Sequence, residues 1–142
     1  MGTINFSHHN VPATIKDKLF AKSFLASVFA EENVTFKSVS YIFCTDEYLL
    51  SLNKQFLNHD SLTDILTFTL SGVSLPIVSE IYISIERVKE NSVIQEVDFM
   101  NELYRVMIHG ILHLCGYNDH TPDEKREMRM KEDFYLKKCL LF

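Results

Sequence analysis

His109 and His113 are four residues apart, a spacing that places two imidazoles on one helix face where both can reach one ion. Imidazole nitrogen is a ligand for zinc and for neighbouring transition metals. The chain continues Gly116-Tyr117-Asn118-Asp119-His120. A glycine can end the helix and let the chain reverse. The stretch then follows the spacing H-x-x-x-H-x-x-G-x-x-ligand known from zinc hydrolases. In that register the third ligand is Asp119, and a carboxylate is an acceptable zinc ligand. His120, one residue on, is the better-liked ligand type. Register favours Asp119, ligand softness favours His120, and both stand as candidates.

In a zinc peptidase, the residue after the first histidine is a glutamate that serves as base. Here it is Gly110, so a peptidase mechanism lacks its usual base. Glycine within a buried helix costs about 1 kcal/mol relative to alanine. Its presence implies that backbone, side chain or substrate approaches closely.

The helix that carries these residues is expected over about Val97 to Cys115, apolar on nearly every side and therefore buried. One stripe breaks that rule. Glu102, Arg105, His109 and His113 are spaced by three, four and four and share a face. Burying such groups unpaired is costly, and a metal would compensate the imidazoles. The remaining candidates have plainer readings. His8 and His9 are adjacent and would point to opposite sides of a strand, as surface residues. His59 belongs to a polar turn, on the surface or at the rim of an active site. Cys115 reads as a core thiol, and the charge run from Asp123 to Asp133 as a solvated helix face.

The elements that must position this stripe are legible in part. Ile4 to Ser7 suggests a short strand. Pro12 to Glu31 has helical apolar spacing through Ile15, Leu19, Phe20, Phe24, Val28 and Phe29. Lys37 to Cys44 reads as a strand. Thr45 opens a helix to about Leu57, with Leu49, Leu52 and Phe56 inward. Ile65 to Leu70 and Ile77 to Ile85 are further strands, joined by a loop over 71–76. Thr121-Pro122-Asp123-Glu124 has the form of a capping box and opens a last helix. The expected class is α/β or α+β: a small mixed four-stranded sheet with four to five helices, the central buried helix carrying the metal site.

The 142 residues suit one domain, 1–142, without repeats or linkers. No apolar run is long enough for a membrane span, and no signal peptide is visible at the N-terminus. Three cysteines without a CxxC pair read as reduced thiols, so a cytoplasmic address is expected. The net charge of −5 argues against gripping nucleic acid by bulk electrostatics; such a substrate needs a local basic patch or a delivering partner.

The block from His109 to His120 resembles the YbeY family signature, H-G-x-L-H-L-x-G-Y-D-H. Leu52 to Phe68 is similar to a second family block, LN-x-x-aromatic followed by TDVLSF, and Glu80-Ile81-Tyr82-Ile83-Ser84 to its GDI-x-I-S strand. The family's third histidine falls on Asp119. Its arginine after the aromatic is Leu57 here, and its Gly-Asp pair is Ser79-Glu80. The resemblance implies a metal-dependent, single-strand-specific endoribonuclease that matures the 3′ end of small-subunit rRNA and serves ribosome quality control. It implies one zinc per chain, or another divalent transition metal. Partners would be rRNA, the small ribosomal subunit, and a ribosomal protein or assembly GTPase. Arg105, Tyr117 and His59 are candidates for orienting ligands or substrate. The rival readings are a metalloprotease-like hydrolase and a non-catalytic, metal-stabilised ribosome-assembly factor.

Overall fold

A computed structural model describes residues 2–57, 63–72 and 75–139, the side chain of Leu57 excepted. Four strands form one sheet: β1 (Thr3–His8), β2 (Phe36–Cys44), β3 (Ile65–Thr69) and β4 (Ile77–Ser84). Their order is β1-β2-β4-β3. β1 and β4 run parallel to β2, and β3 runs antiparallel to β4, so the sheet is mixed. Five helices accompany it: α1 (Lys18–Glu31), α2 (Asp46–Leu57), α3 (Ile85–Ile94), α4 (Phe99–Leu114) and α5 (Pro122–Cys139).

Alternation along the strands divides the interior into two layers. Val39, Tyr41, Phe43, Ile81 and Ile83 face the main core with α1, α4 and α5. Cys44, Leu49, Leu52 and Leu66 form a smaller cluster with α2, joined by Tyr48, Phe68 and Tyr82. α4 supplies the centre of the main core: Leu103, Met107, Ile108, Ile111 and Leu112 are fully buried.

Gly110 explains its own presence. A Cβ there would stand 3.0 Å from Ile81 Cδ1 and 3.1 Å from Ile65 Cδ1. The close approach expected from the sequence is therefore the packing of α4 on the sheet. Position 110 faces β3 and β4.

Four expectations are corrected. α1 begins at Lys18 rather than Pro12, because Asp17 caps it by accepting the Phe20 N–H at 3.0 Å. Leu19 and Phe56, expected inward, are 83% and 59% exposed. Ile85–Ile94, for which the sequence pattern predicts no helix, is α3, capped by Ser84 Oγ on the Arg87 N–H. The run over 123–133 is not wholly solvated: Met128 and Glu132 are buried. The capping box forms as expected. Thr121 Oγ1 accepts the Glu124 N–H, and Glu124 Oε1 accepts the Thr121 N–H.

Candidate metal centre

The site begins with the end of α4. Cys115 is the C-cap, and Gly116 follows at φ 104°, a conformation that glycine adopts without penalty. The Tyr117 N–H donates to the Leu112 carbonyl and the Gly116 N–H to the His113 carbonyl, both at 3.0 Å. This pair of bonds is the Schellman turn. The reversal carries the Tyr117 carbonyl back over the helix, where it accepts the His113 Nδ1–H at 2.9 Å. It also brings Asp119 alongside both imidazoles.

His109 and His113 turn their Nε2 atoms to one point, 2.9 Å apart. Asp119 Oδ2 lies 3.4 Å from the first and 3.6 Å from the second. His109, His113 and Asp119 form the one group of three ligating residues, among the described residues, compact enough to hold a metal ion. His120 does not join it. Its side chain is exposed, and its backbone N–H donates to Glu124 Oε1 at 3.1 Å.

The opposite ring nitrogens are occupied. Glu132 Oε2 accepts the His109 Nδ1–H at 2.6 Å, as the Tyr117 carbonyl does for His113. Each partner fixes a tautomer in which Nε2 carries a lone pair. Two lone pairs and a carboxylate oxygen then converge with no donor between them. That arrangement suits a cation, and the donor set of two imidazoles and one carboxylate suits a transition metal. Burial pulls the pKa of His109 down, but the hydrogen bond and charge of Glu132, with Asp119 and Asp64, outweigh it and the net shift is upward.

Glu132 is 5% exposed and is itself held. Arg105 donates to its Oε1 at 3.0 Å and to Asp133 at 2.7 Å. Arg105 therefore acts on the centre through Glu132 rather than as a free cation. Tyr117 contributes its carbonyl, while its hydroxyl donates to Glu32 Oε1 at 2.7 Å. His59 lies outside the described residues.

Three participants escaped the sequence reading. Glu132 stands in a charge-rich helix, where its residue type gives no sign of burial. Glu32 anchors Tyr117 from the far end of α1. Asp64 heads β3 beside the centre, where burial raises its pKa and His109 opposes the rise. A spacing of α5 residues that puts Met128 and Glu132 on one face was the one available clue.

A cavity of about 350 Å3 opens beside the centre between α3, α4 and α5, with His109 and Asp119 on its wall and Lys125 and Arg129 in its lining. Among the described residues no helix is long and apolar enough to cross a membrane.

The family model described as "Endoribonuclease YbeY" matches residues 4–140. A protein of that name from Cytophaga hutchinsonii is 43% identical over 134 residues, 94% of each chain. Another from Flavobacterium psychrophilum is 45% identical over 130 residues, 92% of each chain. The solution structure of a Thermotoga maritima protein aligns with a TM-score of 0.65 at 29% identity, covering 95% of this chain and 87% of that one.

Proposed function

The chain belongs to the endoribonuclease YbeY family, and on that premise we propose that it hydrolyses phosphodiester bonds of single-stranded RNA with one zinc ion at His109, His113 and Asp119. The observation that carries this reading is the convergence of those three ligand atoms at the end of α4. The biological task is maturation of the 3′ end of small-subunit rRNA on the small ribosomal subunit, in the cytoplasm, by a single domain.

His109 and His113 bind through Nε2 and Asp119 through Oδ2. A metal held there supplies a Lewis acid that activates water and offsets charge on the phosphoryl oxygens. Glu132 and the Tyr117 carbonyl fix the imidazoles before substrate arrives, so little reorganisation is needed. Arg105 holds Glu132 in place through the hydrogen bond to its Oε1. Lys125 and Arg129 place two cationic side chains among the carboxylates of the cavity lining, and these are the groups that would meet a phosphate backbone. The peptidase reading loses ground on geometry as well as sequence. A side chain at position 110 would meet Ile65 and Ile81, so that position provides no base.

The test is cleavage of an unstructured RNA oligonucleotide by zinc-loaded protein, by chelator-treated protein and by His113→Ala. Cleavage in the first alone, restored to the chelated protein by zinc, supports the reading. RNA left intact by a protein that holds zinc and binds ribosomal subunits would replace it with the non-catalytic assembly factor.

A further inference from the structure

The cavity beside the metal centre holds hydrogen-bonding capacity that the protein leaves unspent. Glu102 lines it, is 3% exposed, and has an Oε1 without a hydrogen-bond partner. Protein interiors rarely leave a buried polar atom unsatisfied. Asn91 on α3, Gln95 at its C-cap and Lys125 on α5 line the same space. Their side chains make no hydrogen bond or ion pair among the described residues. A volume of about 350 Å3 falls among small-molecule sites, roughly 300–1,000 Å3.

These groups have a definite complement. A carboxylate presents two acceptors side by side and no donor. Of the four RNA bases, only guanine shows two adjacent N–H donors on its Watson–Crick edge, at N1 and N2. Adenine, cytosine and uracil interleave donors with acceptors there. Bases of single-stranded RNA are read along such edges. Each side-chain amide offers N–H donors, which suit the remaining acceptors of guanine, O6, N7 and N3. Lys125, in the same lining, offers a cation to the attached phosphate.

We propose that this cavity is a guanine-reading subsite, in which the Glu102 carboxylate accepts N1–H and N2–H while Asn91 and Gln95 engage the rest of the base. The proposal deepens the RNA-cleaving reading and rests on it: the base would flank the scissile phosphate held at the metal centre. A second divalent cation is the competing occupant. Asp64 and Glu102 in the lining would favour it, and Lys125 in the same lining, unpaired among the described residues, opposes it.

The experiment is calorimetric titration of the zinc-loaded full chain with GMP, AMP, CMP and UMP, wild type beside Glu102→Gln, Asn91→Ala and Gln95→Ala. GMP is expected to bind roughly tenfold or more tightly than the others, the discrimination a bidentate contact provides. Glu102→Gln abolishes that preference, and each amide variant weakens GMP severalfold. Asn91 and Gln95 are at least partly exposed, so those variants carry the test should Glu102→Gln fail to fold. Equal binding of all four nucleotides overturns the proposal, as does a GMP preference that survives all three substitutions or a second bound metal equivalent lost with Glu102. A Glu102-dependent GMP preference in a protein that cuts no RNA sustains the subsite and removes the nuclease reading. Unbiased cleavage of a randomised RNA with no GMP preference does the reverse.

Discussion

Glu132 shows how the centre is tuned by a residue that is not one of the three candidate metal ligands. Its two carboxylate oxygens are divided between His109 and Arg105. Replacing it with glutamine keeps the shape and removes the charge behind the imidazole. Loss of such a partner lowers metal affinity by roughly 10–100-fold. Glu132→Gln is expected to show that loss in zinc competition with a chromophoric chelator, with its fold intact. Unchanged affinity would mean that His109 is oriented by packing alone. The two histidines were legible because their spacing is chemical information in itself. Glu132 was not, because a carboxylate among charged neighbours on α5 looks the same whether it meets water or an imidazole. Arg105 was legible as a stripe residue, and only the position of α5 shows that it bonds Glu132 and Asp133.

Glu32 joins three elements. It is the C-cap of α1, accepts the hydroxyls of Tyr117 and Tyr135, and pairs with Lys131 at 3.2 Å. Burial would raise its pKa, but the donors of Tyr135, Tyr117 and Lys131 outweigh that and hold it below its ordinary value. A carboxyl with a depressed folded pKa stabilises the native state above its unfolded pKa. That contribution is lost as pH falls through the folded value. Glu32→Gln is therefore expected to cost about 1.5–3 kcal/mol at neutral pH, the range for hydrogen bonds to a charged group. The gap from wild type should narrow on acidification below the ordinary glutamate range, as read by urea unfolding. A gap that stays constant or widens would contradict this.

At the same scale, strong local signals were legible. The capping box of α5 and the glycine stop of α4 both form. α3 was not, because its apolar residues do not mark one face: Val88 is buried, while Val93 and Ile94 are exposed. Periodicity points Leu19 and Phe56 inward, but it gives a face and not the width that neighbours cover, and both are exposed.

Across the whole molecule, a net charge of −5 is carried locally into the cavity beside the centre, whose lining interleaves Arg105, Lys125 and Arg129 with the carboxylates of Asp64, Glu102, Asp119 and Glu132. The mixed sheet, the buried α4 and the turn at Gly116 together give Asp119 its position. The order of strands and the docking of α5 could not be read from patterning, since both depend on contacts distant in sequence.

The central claim is a metal bound by His109, His113 and Asp119. The direct measurement is the metal content of the purified protein beside His113→Ala, Asp119→Ala and His120→Ala. Near-stoichiometric zinc in wild type and His120→Ala, lost in the other two, is the expected result. A wild type that holds no metal and takes up none, or an Asp119→Ala variant that keeps it while His120→Ala loses it, would contradict the account.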